Sequence, residues 1–342
     1  MITARELLSE VAKEDQKDLV DVLQLCERDG YKLAFHRDDA DGIISGAMAK
    51  VLLAKNRVVP VPLSYALLRK EKILSHLGQY EWIAICDLIP FNLKPMKGFY
   101  CDHHTSSLHL TKKANRIIFD PEAPSAANLL FDQFSDDLKD FEKLVSVVQI
   151  TDTANFQTEP PTKVIDPNLA TFDDITWLVN DACKGAESVG EVLELFDVFV
   201  REKDEAIFHP LLTQMAQRIV GKRHRAMDIA KTLESAPLII IRTKRRSIYD
   251  RTIIYQLLAR KEVKVGISLR ERTNDGILSL RVSKNLSQNE YDLYRVDQLA
   301  SLFGGGGHKV ASGAIVSNVD RAIERILDWG RKRNLIGRVY SL

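Results

Sequence analysis

Tyr31-Lys32-Leu33-Ala34-Phe35-His36-Arg37-Asp38-Asp39-Ala40-Asp41-Gly42-Ile43-Ile44 is the stretch on which the rest of the chain is read. Residues 31–35 form a short apolar run after the turn pair Asp29-Gly30 and read as a strand. An imidazole and three carboxylates follow at once: His36, Asp38, Asp39 and Asp41. Gly42 then opens a helix with Ile43, Ile44, Met48 and Leu52 on one side. A strand that passes through polar ligands into a helix is the first unit of an α/β sheet. Such sheets bind ligands at the carboxyl ends of their strands. Asp39 and Asp41 have two readings here, as helix caps or as metal ligands, and both stay open.

The pattern continues outward. Residues 58–63 read as a strand, 66–77 as a helix and 82–86 as a strand, with 99–101 and 116–119 after them. This order predicts a doubly wound, mainly parallel sheet. Three further apolar runs end in metal-binding side chains, and all are read as strand ends: Asp87, then Asp102-His103-His104, then Asp152 after residues 144–150. Residues 125–148 and 172–184 have helical periodicity, and 188–235 is helical, highly charged and interrupted by Pro210. A strand pattern restarts at 237–241, and a smaller α/β unit follows with a turn at Asn274-Asp275-Gly276. The expected division is 1–185, a helical connector at 186–236, and 237–342.

With 342 residues there is room for two cores, and 45% hydrophobic with 28% charged residues is ordinary for a soluble protein. A net charge of +1 gives no global electrostatic case for long nucleic acid, and leaves a small anionic substrate open. Cys26, Cys86, Cys101 and Cys183 form no CxxC pair and read as reduced thiols, so the expected location is cytoplasmic. No signal-peptide core or spanning apolar run is visible; Thr3 and Glu6 fit a helix capping box instead. The basic run Arg242-Thr243-Lys244-Arg245-Arg246 lacks interleaved aromatics and reads as a solvated helix start. Trp82, Trp177 and Trp329 are assigned to packing.

Carboxylates mixed with imidazoles suit Mn²⁺, with Mg²⁺ second, better than a thiolate metal. Two adjacent imidazoles, His103 and His104, cannot both face a core comfortably. In the second half, Gly304-Gly305-Gly306-Gly307-His308 gives a backbone able to expose N–H groups to an anion, with His308 as a further donor. Arg281 lies on the strand before it and can pair a terminal phosphate.

Together these segments resemble the DHH phosphoesterase superfamily, named after Asp-His-His, over nearly the whole chain. The stretch Gly304-Gly305-Gly306-Gly307-His308-Lys309-Val310-Ala311-Ser312-Gly313 is similar to the signature of its associated C-terminal domain. Thr151-Asp152-Thr153-Ala154-Asn155-Phe156 looks most like the nanoRNase and pAp phosphatase branch. Ser279-Leu280-Arg281-Val282-Ser283 matches that branch's Ser-x-Arg-Ser pattern with Val282 inserted, and Ser268-Leu269-Arg270 competes with it. Asn128 stands where the branch usually has an acid. The resemblance implies two Mn²⁺ ions: His36 and Asp39 on the first, Asp41, His103 and Asp152 on the second, Asp87 bridging. It makes His104 face the phosphate and Asp102 orient an imidazole, and puts Arg281, Ser283, Gly305, Gly306, Gly307 and His308 on the substrate.

The expected function is a metal-dependent phosphodiesterase or exonuclease that cuts short single-stranded oligonucleotides to mononucleotides, with pAp or other nucleotide phosphates as further substrates. A RecJ-like single-strand exonuclease, a cyclic or linear dinucleotide phosphodiesterase, and a non-catalytic binding subunit are the alternatives. No membrane partner is expected, and a homodimer stays open.

Overall fold

The computed structural model describes residues 4–89, 96–104, 114–244, 249–273 and 275–342. Thr3, Arg245, Arg246 and Asn274, named above, lie outside the described residues. The chain forms two compact units, Met1–Val220 and Gly221–Leu342.

The first unit runs α1 (Ala4–Glu10), α2 (Lys13–Cys26), β1 (Tyr31–His36), α3 (Ala40–Leu52), β2 (Val58–Leu63), α4 (Tyr65–Leu68), α5 (Glu71–Leu77), β3 (Trp82–Cys86), β4 (Met96–Asp102) and β5 (Ala114–Phe119). Helices α6 (Ala126–Gln133), α7 (Ser135–Leu138), α8 (Glu142–Thr153), α9 (Phe172–Gly185) and α10 (Val189–Glu202) follow, and α11 (Pro210–Thr232) crosses into the second unit. The sheet order is β2-β1-β3-β4-β5, every pair parallel. Alternate residues leave a strand on opposite faces, and both faces are covered. Leu33, Phe35, Cys86 and Cys101 join a core with α3, α6, α8, α9 and α10. Ala34, Val61, Ile85 and Tyr100 join a second core with α1, α2, α4 and α5. The order reverses between β1 and β3, which opens a crevice at their carboxyl ends.

Helix α10 is part of this packing: Phe196 stacks on Phe35 of β1 with centroids 4.8 Å apart and planes 16° from parallel. The run at 144–150, read as leading to a strand end, is instead within α8. Its Leu144, Val145, Val147 and Val148 are buried in the first core, so tertiary packing overrides the β preference of valine.

The second unit contains β6 (Leu238–Thr243), α12 (Tyr249–Leu258), β7 (Val265–Glu271), β8 (Gly276–Val282), α13 (Gln288–Leu293), α14 (Val296–Ser301), β9 (Gly306–His308), β10 (Ala311–Val316), α15 (Val319–Arg331) and β11 (Gly337–Ser341). Its sheet order is β11-β6-β7-β8-β10-β9; the first three strands are parallel and the remaining pairs antiparallel. Leu238, Ile240, Ile267 and Leu280 pack one face against α14 and α15. Ile239 and Ile241 pack the other against α11 and α12. Trp82 and Trp329 are core residues. Trp177 is half-buried, stacked on Phe156 at 3.8 Å.

Phe196 is fully buried against the sheet. Phe196→Ala removes a large core side chain and should cost about 3–5 kcal/mol. A urea titration followed by far-UV circular dichroism measures it, and a loss under 1 kcal/mol, roughly that of a surface change, would contradict this packing.

Candidate metal centre

Strand β1 delivers His36, and the chain must then start α3 almost on top of it. Only glycine permits this at residue 42: a Cβ there would lie 2.1 Å from the His36 carbonyl oxygen. Asp39 is the extended N-cap, and its Oδ1 accepts from the Gly42 N–H at 3.0 Å. Its Oδ2 lies 3.1 Å from His36 Nδ1. Capping and site-building therefore use different oxygens of one carboxylate. Asp41, in the first turn of α3 and 1% exposed, accepts from the Ala126 and Ala127 N–H groups at 2.8 Å each. Those two are the first residues of α6, where free donors and the helix dipole favour an anion.

Asp87 follows β3 in the left-handed region, φ 53°, with its N–H donating to the Cys101 carbonyl at 2.9 Å. This conformation is uncommon for a residue with a side chain, and Asp tolerates it better than most. Its Oδ2 is 3.3 Å from His36 Nδ1; its Oδ1 is 3.5 Å from His104 Nδ1 and 3.9 Å from His103 Nε2. Asp102 ends β4, fully buried. It accepts from the N–H groups of His103 and His104, lies 2.8 Å from His104 Nδ1, and takes the Tyr100 hydroxyl at 2.6 Å. Asp102 thus fixes the turn that presents both imidazoles. His103 Nδ1 faces the Ala123 carbonyl at 3.2 Å, which leaves Nε2 toward Asp152 at 3.3 Å and Asp41 at 3.6 Å. Asp152 reaches this point from the last turn of α8, not from a strand end.

Among the described residues three groups could hold an ion: His36, Asp39 and Asp87; Asp41, His103 and Asp152; and Asp87, His103 and His104. Asp87 serves two of them. The residues fit a divalent ion on two counts. Asp87 Oδ1 and His103 Nε2 are buried polar atoms without a hydrogen-bond partner, which is costly unless something else meets them. The charges also need a cation. Burial, then the neighbouring Asp87, Asp152 and Asp39, hold the Asp41 carboxyl well above the usual range. Burial and Asp39 raise Asp152 as well. Burial pushes Asp87 up to about 7 against the opposing pull of His36. His36 is raised well above an ordinary imidazole: burial opposes the charged ring, but Asp39, Asp38 and Asp87 outweigh it. Asp39 is lowered, because the His36 charge overcomes its burial. Oxygen and imidazole donors of this kind suit Mn²⁺ or Mg²⁺.

One neighbour of the centre is not singled out by the sequence. Tyr65, just after β2, sets its ring edge-on to His36 at 4.9 Å; its place at another strand end is the available signal. Asn128 is an N-terminal capping partner of α6, taking the Ser125 hydroxyl on Oδ1 at 2.7 Å. The departure from an acid there is a matter of helix start.

In the second unit, register places side chains by face. Ser268, Ser279, Gly313 and Gly306 lie opposite one another across β7, β8, β10 and β9; Gly266, Arg281, Ala311 and His308 form the next row. Arg281 donates to the Leu280 carbonyl at 2.9 Å and approaches the Tyr255 hydroxyl at 3.3 Å. A Cβ on Gly306 would meet nothing within 4 Å, so the floor beside His308 is open. Ser283 is placed differently: buried, its hydroxyl donates to the Leu258 carbonyl at 2.9 Å. Within the glycine run the N–H groups of Gly304 and Gly305 donate to the Ser301 and Ala300 carbonyls at 3.1 and 3.0 Å. Gly304, at φ 70°, ends α14 as a left-handed cap. These two amides are engaged by the helix and do not form an anion nest.

No family model matches the chain, and no curated protein matches it by sequence. Solved structures match it over most of its length. It is similar to the pGpG-specific phosphodiesterase PggH from Vibrio cholerae, at 17% identity and TM-score 0.55, over 89% of this chain and 99% of that one. It is similar to RecJ in complex with Mn²⁺ from Thermus thermophilus, at 12% identity and TM-score 0.57, over 97% of this chain and 56% of that one. A DHH domain from a member of the s1p family of ribosomal proteins matches at 12% identity and TM-score 0.55, over 97% of this chain and 92% of that one. The shared property is the fold: a DHH-type α/β architecture with a smaller mixed-sheet C-terminal unit. Among the described residues no helix is long and apolar enough to cross a membrane.

Titration calorimetry with Mn²⁺ should find two ions per chain. Asp87→Ala should weaken both, whereas Asp152→Ala should weaken one. Equal single-site losses would sink the shared role of Asp87. The pH dependence has a definite sign. The folded Asp87 carboxyl holds its proton from 3.8 up to about 7, where the unfolded one has lost it. Its contribution to stability therefore falls as pH rises through that window. Metal-free protein should melt lower at pH 8 than at pH 5 on this group's account, and the difference should shrink in Asp87→Asn. Proton competition should weaken Mn²⁺ binding below about pH 7.

Proposed function

We propose that this chain is a metal-dependent phosphodiesterase of the DHH type that hydrolyses very short oligonucleotides to mononucleotides, linear dinucleotides included, with pAp as a further substrate. One observation carries the reading: a buried carboxylate, Asp87, shared by two metal-binding groups at the switch point of a parallel sheet. Likeness of fold to a pGpG-specific phosphodiesterase over 99% of that chain supports a small nucleotide substrate.

His36, Asp39, Asp87, Asp41, His103 and Asp152 would hold divalent ions, which would supply Lewis acidity toward a phosphoryl group and a lowered pKa for bound water. The chain's own residues do the rest. The hydrogen bond to Asp102 raises His104 to about 9. Asp102 engages Nδ1, and Nε2 is then the nitrogen that can give a proton to a leaving oxygen. Asp102 keeps that ring oriented through the turn amides and Tyr100. In the second unit, Arg281 offers a cation and His308 a donor suited to a phosphate or a base.

A RecJ-like exonuclease on long single strands is the second reading, supported by fold likeness to RecJ in complex with Mn²⁺. This chain spans 56% of that one, and its net charge of +1 argues against an extended basic groove.

A product time course with Mn²⁺ on labelled oligonucleotides of graded length, pAp, pGpG and cyclic dinucleotides tests both. Mononucleotide release should be fastest from the shortest linear substrates and should stop with chelator. Preference rising with length would favour the second reading; no release from any substrate would end both. Arg281→Ala should leave metal content unchanged. It should raise KM for dinucleotides about tenfold to a hundredfold, as expected for one hydrogen bond to a charged group. Unchanged kinetics would remove Arg281 from the substrate.

A further inference from the structure

The second sheet ends on one side in β11 (Gly337–Ser341), and among the described residues no strand lies beyond it. In its parallel pairing with β6, Leu238 donates to the Ile336 carbonyl and Leu342 donates to the Arg242 carbonyl. The ladder alternates along a strand, so residues 336, 338, 340 and 342 turn their amides to β6. Gly337, Val339 and Ser341 turn theirs outward.

The other sheet edges carry protection. Edge strand β2 has Pro60 and Pro62, β5 has Arg116, and β9 is three residues long. On β11 there is no proline. Its one charge, Arg338, is paired with Glu234. Ile336, Val339 and Leu342 along it are 77%, 37% and 48% exposed.

We propose that β11 is a self-pairing edge whose occupant is β11 of a second copy of this chain, antiparallel and two-fold symmetric about Val339. The sequence supports this register over its neighbours. With Val339 opposite Val339, every outward amide of Gly337, Val339 and Ser341 finds a partner, and a shift by two residues leaves some unpaired. Side chains also match across the axis: Ile336 meets Leu342, both apolar; Gly337 meets Ser341, both small; Arg338 meets Tyr340, a cation beside a ring. No like charges face each other. The two sheets then continue as one. A single strand pair lies below about 1,200 Å², among the smaller interfaces, so association depends on concentration.

Sedimentation velocity on the whole chain over a concentration series is the test. Wild type should show a monomer–dimer equilibrium. Val339→Pro removes an outward N–H without touching a bond to β6, and should weaken association roughly tenfold or more, since the axis pair loses its two hydrogen bonds. Val339→Cys gives an independent readout whether or not the proline variant folds. With oxidised glutathione, the thiols introduced at position 339 of two chains join as one disulfide and glutathione is reduced. The native cysteines are all buried, so they do not compete. Arg338→Cys, off the axis, should cross-link far less. A chain that stays monomeric throughout, or a Val339→Cys variant that does not cross-link, overturns the proposal.

Discussion

Asp87 sets the terms for the carboxyl edge of the first sheet. A carboxylate with 1% exposure, in a left-handed conformation, stands among three imidazoles and within the field of Asp39 and Asp41. Without a cation the arrangement is electrostatically unfavourable, and the raised carboxyls record this. The fold holds it in place through the Cys101 carbonyl on the next strand. Strand order then decides the rest. The reversal between β1 and β3 puts His36 and Asp87 on either side of one crevice, and β4 adds the two imidazoles from the far side.

Around that centre, backbone groups hold several of the carboxylates. Asp41 rests on the amides that start α6, Asp39 caps α3, and Asp102 gathers two turn amides. Each carboxylate thereby keeps a fixed direction. A divalent ion would add neutralising charge to that of His36. This is the arrangement expected where a metal must be bound firmly and reproducibly.

The βα unit from Tyr31 to Leu52 is legible in the sequence because strand, ligands, glycine and helix succeed each other without a gap. Glycine at 42 is visible as a helix start; its necessity is not, since that depends on the His36 carbonyl directly beneath it. The side of the sheet carrying Ser279 and Arg281 follows from alternation alone, whereas Ser283 lies past the end of β8 and points inward. The position of Asp152 is legible in part: helical periodicity runs through 125–148, while the apolar run at 144–150 also reads as a strand end, and packing decides for the helix. The role of Gly304 and Gly305 is hidden for another reason: whether a glycine amide is open depends on where the preceding helix ends, and α14 ends by taking both. Strand β11, five residues between a helix and Leu342, carries too short an alternation to stand out.

The seating of Asp41 on α6 has a consequence for how the site tolerates change. The partners of this carboxylate are the main chain at residues 126 and 127, so the side chains there can vary as far as the surrounding core allows. Proline at either position would withdraw a partner outright, although proline is ordinarily welcome in a first helical turn. Lengthening the acid by one methylene would push its oxygens into those same amides. The position is thus permissive about its neighbours' identity and strict about their path. Two proteins could share this centre while sharing few residues around it.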